Sequence, residues 1–271
     1  MPRPPRLDQV LVDRELAETR SRAKALILAG DVLVNGQRET RAGHPTGPRD
    51  EVSLRAAPRF VSRGGEKLDH ALATFEIDVE GMIAADLGAS TGGFTDCLLQ
   101  RGAAKVYAVD VGYGQIDERL RTDDRVVVME RVNARYLETL PQPVEIVVID
   151  VSFISLALMF PVVARILANG AQCVPLIKPQ FEAGRDEVGK GGVVRDPEIH
   201  RQVLARVVRS AAENGLTTLG MVASPLRGPA GNVEFLARLR KCRSGEELTN
   251  TDLAGMIDTA MDQAAHGEPG K

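Results

Sequence analysis

Four ionisable residues stand where a folded chain seldom leaves charge without use. Lys178 closes the apolar run of "CVPLIKPQF", Asp150 closes "EIVVID", Glu234 opens the last apolar stretch in "GNVEFL", and Lys67 precedes them all in "SRGGEKL". The run from Val174 to Ile177 reads as a buried strand. In an open α/β sheet the ligand crevice lies beyond the carboxyl ends of the strands, near the point where strand order reverses. Two ammonium groups and two carboxylates gathered at that edge can accept, pass on or electrostatically hold a proton.

A second constellation is suited to a cofactor. "ADLGASTGGFTD" follows the first apolar strand and opens a helix, so Gly88, Gly92 and Gly93 let the backbone approach a ligand closely. Taken alone, a turn made of Gly88, Ala89, Ser90, Thr91, Gly92, Gly93 and Phe94 serves NAD, another nucleotide or S-adenosylmethionine equally well. Asp86 ends the strand two residues before Gly88, in the spacing of a "[DE]-x-G-x-G-x-G" pattern with Ser90 at the second glycine. A carboxylate there suits a cationic cofactor without a pyrophosphate. The next strand ends at Asp110 and Val111, where an acidic residue binds a ribose diol in either cofactor class. Asn133 and Ala134 follow the third strand, placed to reach an adenine.

These residues need elements to carry them. From about residue 82 the chain alternates apolar strands ("MIAADL", "KVYAVD", "RVVVME", "EIVVID", "AQCVPLIK", "TTLGMVA", "VEFLARLR") with helical stretches such as "GGFTDCLLQRG" and "EIHRQVLARVVRSAAENG". That pattern predicts an α/β fold, a doubly wound sheet covered on both faces. Before it, "RLDQVLVDREL" and "TRSRAKALILAG" have helical spacing, the second with Thr19 as N-cap and Gly30 as stop. "DVLVNGQR" then predicts a hairpin turning at Asn35-Gly36. A small α+β module over residues 1–58, a linker over 59–65 and a catalytic unit over 66–271 is the expected division. The tail after Arg240 reads as one weak helix with a frayed end.

Charge supports two unlike parts. The formal net charge is -3, but residues 1–70 carry 13 Lys and Arg against 10 Asp and Glu, and the rest 21 against 27. A basic front on an acidic body fits a nucleic-acid docking module joined to a catalytic one. Cys97, Cys173 and Cys242 form no metal-binding or disulfide spacing. No apolar run approaches the roughly 18 residues of a membrane span, and Asp8, Asp13 and Glu15 interrupt the segment a signal peptide would need apolar. A cytoplasmic monomer without metal and without membrane contact is expected.

The first module resembles the S4 RNA-binding domain over roughly residues 5–57, through Arg6-Leu7-Asp8, Thr19-Arg20, Leu26-Ile27, Gly30-Asp31-Val32, Val34-Asn35-Gly36 and Asp50-Glu51-Val52. The remainder resembles the FtsJ-like ribose 2′-O-methyltransferases, whose K-D-K-E tetrad matches Lys67, Asp150, Lys178 and Glu234. Together with "DLGASTGGFTD", "VVIDVSFISL", "PLIKPQFE" and "SPLRGPAGNVEF", the chain is similar to the TlyA family. The resemblance implies a Rossmann-like seven-stranded methyltransferase sheet and S-adenosylmethionine as cofactor. It also implies methylation of cytidine ribose in ribosomal RNA, on the large subunit and, with these extended ends, on the small one. Lys178 would then be the base, with partial burial and a neighbouring Lys67 ammonium favouring its neutral form. Asp150 and Glu234 would orient the two ammonium groups. Arg3, Arg6, Arg20, Arg22, Lys24, Arg41 and Arg63, with Lys190 and Arg195 of a Gly-rich loop, would meet RNA.

Three other readings compete. An S4-domain ribosome-assembly factor with an inactive methyltransferase fold conflicts with the intact tetrad. A membrane-active haemolysin, a label carried within the family, lacks a strongly amphipathic apolar helix. An NAD-dependent dehydrogenase rests only on the glycine turn and Asp110.

Overall fold

The computed structural model describes residues 4–55, 58–243 and 252–266; Arg3, expected at the RNA surface, lies outside them. The chain divides into two compact units, Met1–Pro58 and Arg59–Lys271.

In the first unit, α1 (Leu7–Asp13) and α2 (Arg20–Ala29) pack on a three-stranded antiparallel sheet of β1 (Val32–Val34), β2 (Gln37–Arg38) and β3 (Val52–Leu54), ordered β2-β1-β3. The Thr19 hydroxyl accepts the Arg22 N–H at the start of α2, and Gly30 ends the helix in the left-handed region at φ 78°. Asn35 and Gly36 both have positive φ, which the two-residue hairpin turn requires. Leu7, Leu11, Ala23, Ile27 and Val32 form the small core. Asp8 is also fully buried, and its carboxylate takes the guanidinium groups of Arg6 and Arg20, each at 3.0 Å. The hydrogen bond from Arg6 holds the Asp8 carboxyl below its ordinary range.

The second unit's first helix, α3 (Arg63–Thr74), begins inside the stretch 59–65 expected as a linker. The stretch 59–65 is packed into this unit. Phe60 is buried against Gly65, Val61 N–H donates to Asp96, and Arg59 pairs with Asp69. There follow β4 (Ile83–Leu87), α4 (Gly93–Gln100), β5 (Lys105–Val109), a single turn α5 (Glu118–Arg121), β6 (Val126–Met129), β7 (Val144–Ile149), α6 (Phe160–Ile166) and β8 (Leu167–Ile177). After the short α7 (Pro179–Glu182) come α8 (Pro197–Glu213), β9 (Leu216–Ala223), β10 (Phe235–Lys241) and α9 (Leu253–His266).

The seven strands run β6-β5-β4-β7-β8-β10-β9, parallel from β6 to β8, with β10 antiparallel to both neighbours. Parallel strands covered on both faces bury nearly every side chain, which is why they read as continuous apolar runs. One core gathers β7, β8, α6, α8 and α9, the other α3 and α4 against β4 and β5. The C-terminal helix is part of the first of these, with Ile257, Ala260 and Met261 buried. The expected weak helix is thus packed into the core, while its expected frayed end, residues 267–271, and residues 244–251 lie outside the described residues. Among the described residues no helix is long and apolar enough to cross a membrane, and no cluster of His, Cys, Asp and Glu has metal-binding spacing.

Candidate active site

Sheet register assembles the site. Leu87 pairs with Val109 on one side and Ile149 on the other, so Gly88, Asp110 and Asp150 emerge level at the carboxyl edge. Phe235 pairs with Ile177 in the antiparallel β10, which brings Glu234 to the same edge as Lys178. The strand order reverses between β4 and β7, so the edge at Gly88 and Asp150 is the switch point where open α/β sheets bind ligands.

A cavity of 750 Å³ opens there, lined by Gly88, Ser90, Asp110, Val111, Asn133, Ala134, Asp150 and the loop 151–155. Gly88 is needed for space as well as conformation. Its φ is 92°, and a Cβ would lie 2.6 Å from the Asp150 carbonyl oxygen. Ser90 also has positive φ, 50°, so the position where the pattern calls for glycine does adopt the left-handed backbone. Its N–H donates to Asp110 Oδ2 at 2.8 Å while Gly112 N–H donates to Oδ1 at 2.7 Å. The Asp110 carboxylate is thereby fixed before any ligand arrives. Asn133 Oδ1 accepts from Arg135 N–H, leaving its amide nitrogen to the cavity.

Asp86 departs from its expected place. It is fully buried and lines neither this cavity nor the smaller one beside it. Its Oδ2 accepts both the N–H (2.9 Å) and the hydroxyl (2.7 Å) of Thr95, so Asp86 braces the first turn of α4. Burial pushes its carboxyl up to about 7. Gly92 is likewise buried, at the N-cap of α4, and lines neither cavity, whereas Ala89, Thr91, Gly93 and Phe94 line the small one.

The four candidate catalytic residues form two separate ion pairs. Lys178 Nζ lies 2.6 Å from Asp150 Oδ1 and donates to Ser152 Oγ at 2.9 Å. Lys67 Nζ donates to Glu234 Oε2 at 2.5 Å, the two side chains being 9% and 2% exposed. Lys67 reaches the site because it falls on the buried stripe of α3 with Leu68 and Ala71. Lys67 and Asp150 both line a small cavity of 110 Å³ with Gly88 and Ser90, which brings the two pairs to one place. Each ammonium therefore faces its own carboxylate.

Several contributors went unread in the sequence. Phe153, in "VVIDVSFISL", is 89% exposed at the cavity with φ 64°, its ring 4.9 Å from that of Phe181. A bulky residue in the left-handed region costs of order 1–3 kcal/mol and is characteristic of functional loops. Glu182 accepts from Ser155 Oγ and Leu156 N–H, both at 2.7 Å, and so ties the segment after Lys178 to the loop after Asp150. Asn232, buried, accepts the Val194 N–H and donates to the Gly192 carbonyl, holding the 189–195 turn two residues from Glu234. For Phe153 and Asn232 the chemical signal was an aromatic or an amide inside an otherwise small-residue loop; Glu182 carried none.

The expected RNA contacts differ in how freely they stand. Arg22 and Lys24 are exposed, with no ion pair among the described residues. Arg6 and Arg20 keep about half their surface exposed while holding Asp8. Arg41 is engaged by Glu39, whose carboxyl it holds down at about 2. Arg63 donates to the Arg227 carbonyl, and Lys190 and Arg195 are exposed beside the 189–193 turn.

Comparisons with known proteins agree with this architecture. The FtsJ-like methyltransferase family model matches residues 60–241, and the S4 domain model matches residues 5–52. The 16S/23S rRNA (cytidine-2′-O)-methyltransferase TlyA of Mycobacterium tuberculosis is 47% identical over 98% of this chain and 97% of its own. Hemolysin A of Brachyspira hyodysenteriae is 42% identical over 86% of this chain and 98% of its own. The solved structure of a hemolysin-labelled protein from Streptococcus thermophilus shares 45% identity and a TM-score of 0.74, covering 97% of this chain and 96% of that one. With an S4 domain ahead of an FtsJ-like sheet along nearly its whole length, the chain belongs to the TlyA family of methyltransferases.

Proposed function

We propose that this chain transfers a methyl group from S-adenosylmethionine to the 2′-hydroxyl of a cytidine ribose in ribosomal RNA, on the 23S and also the 16S molecule. The observation that carries the reading is the Lys178–Asp150 pair on the wall of a 750 Å³ cavity at the switch point. The name of the Mycobacterium tuberculosis relative supports cytidine and both subunits.

S-adenosylmethionine fits the residues present. The cavity lies within the roughly 300–1,000 Å³ typical of small-ligand sites. Asp110 has both oxygens anchored by backbone N–H groups and lone pairs left for a ribose diol, with Asn133 and Ala134 available to the adenine. When bound, the cofactor supplies an electrophilic methyl on a sulfonium.

The chain's own part is proton transfer and positioning. Lys178, reacting as the neutral amine, takes the proton from the 2′-hydroxyl as that oxygen attacks, and Asp150 balances the ammonium charge that results. Ser152 fixes the direction of the nitrogen. Lys67, held by Glu234, offers a second cation to the target ribose. Phe153 presents a ring face at the cavity mouth on which an unstacked base can lie. Arg22 and Lys24 lead the RNA phosphate contacts, joined by Arg6, Arg20, Arg41, Arg63, Lys190 and Arg195. A ribosomal substrate places the action in the cytoplasm.

The test is mass-spectrometric mapping of ribose methylation on both ribosomal RNAs from cells with and without this protein. We expect one cytidine 2′-O-methyl mark to disappear from each RNA. Loss from 23S alone removes the small-subunit part, and no lost mark contradicts the reading.

A further inference from the structure

A cavity of 480 Å³ adjoins the site and has no part in the chemistry just described. Glu234 forms part of its wall, while Lys67, the partner of Glu234, faces the small cavity shared with Asp150. The buried ion pair thus touches both spaces. Around the rest of the larger cavity stand His70 and Thr74 of α3, Gln263 and His266 of α9, and the loop carrying Pro225 and Arg227.

We propose that this cavity receives the nucleobase of an unpaired nucleotide flanking the target ribose; this rests on the RNA methyltransferase reading. Sequence-specific recognition of RNA works on splayed, single-stranded bases that stack on flat side chains and present their edges to hydrogen-bonding groups. Two imidazole rings and Pro225 supply flat and apolar faces. Gln263 has its Oε1 occupied by the Ala223 N–H at 3.2 Å, and its amide nitrogen has no acceptor among the described residues. Burial holds the His70 imidazole below its ordinary pKa, so it meets the base in its neutral form near pH 7. At the rim, Arg63 and Arg227 are both exposed, and Arg63 Nη2 donates to the Arg227 carbonyl at 2.9 Å. Two guanidinium groups beside this cavity suit the phosphates on either side of that nucleotide. The target base itself belongs elsewhere, because Lys178 and Phe153 do not line this cavity.

The proposal is tested with the full chain and an rRNA fragment containing the mapped cytidine, intact or with an abasic residue at the position on either side. Affinity is read by fluorescence anisotropy, and methyl transfer is read separately. Removing one of the two flanking bases should raise Kd about tenfold for the unaltered chain, within the range of one base stack. Thr74→Trp, an exposed position on the cavity wall, should bind the intact RNA about tenfold more weakly and lose nothing further with that abasic RNA. Ala264→Phe provides the same block from α9 should the first variant fail to fold. Equal affinities for all three RNAs, or penalties from base removal and Thr74→Trp that add, would overturn the proposal. The expected binding pattern without any methyl transfer would sink the activity reading and leave the cavity assignment standing.

Discussion

Neutralising Glu234 is the most informative single perturbation of this site. Glu234→Gln preserves size and leaves the Lys67 ammonium buried against an amide. At the observed 2.5 Å, an effective dielectric constant of about 20 gives a direct attraction of about 7 kcal/mol. Withdrawing each ion from water costs several kcal/mol, so the net contribution of the pair is much smaller. What the variant reveals is the uncompensated cation, with an expected loss of about 3–5 kcal/mol. Lys67→Met, which strands the carboxylate, should cost a similar amount. The double variant Lys67→Met/Glu234→Leu buries apolar groups in their place and should recover most of the stability, because replacing a buried pair is often neutral or favourable. Urea unfolding gives the three stabilities, with unchanged m-values as the control for compactness. Methyl transfer to RNA should be lost in all three, including the stable double variant. If the single losses simply add, the pair is not energetically coupled. If the double variant methylates RNA, the pair serves stability and has no part in catalysis.

Three further outcomes follow from particular contacts. Burial raises the Asp86 carboxyl from 3.8 to about 7, so between about pH 4 and 7 the unfolded chain binds fewer protons than the folded one and stability falls as pH rises. The stability of the wild type relative to Asp86→Asn should therefore decline across that window, with a ceiling of about 4 kcal/mol; melts at pH 4 and pH 8 that give the same difference would refute it. At Gly228 an added Cβ would lie 2.6 Å from Glu234 Oε1, so Gly228→Ala should displace that carboxylate, cost about 1–3 kcal/mol in urea unfolding and depress kcat while calorimetric cofactor affinity is retained. Removing Arg22 and Lys24 together should lower the salt slope of RNA binding by about 0.7 to 0.9 per lost phosphate contact, read by titration over a range of salt.

The strands were legible because burial on both faces makes them continuous apolar runs, and Lys178 and Asp150 were legible because each interrupts such a run at its end. Direction was harder to see. Glu234 shares an edge with Lys178 because β10 runs antiparallel, and nothing in "VEFLARLR" carries that information. Asp86 looked like a ligand residue because it ends a strand before glycines. Its fate was decided by Thr95, nine residues later, folding back over it. Arg6 and Arg20 looked free for RNA because Asp8, which both hold, sits in the hydrophobic-looking start of α1. The expected linker is closed by Phe60 packing on Gly65, a close approach that composition does not reveal. The tail helix appeared weak because its apolar positions are small and sparse, and its partner β9 is distant in sequence.

The central claim is that Lys178 accepts the ribose proton. It is tested most directly by Lys178→Ala, assayed for transfer of labelled methyl to 23S and 16S RNA beside calorimetric binding of S-adenosylmethionine. Methyl transfer should fall by about 10²–10⁴-fold, the usual worth of a general base, while cofactor and RNA affinities stay near those of the unaltered chain. Transfer at an undiminished rate would contradict the account.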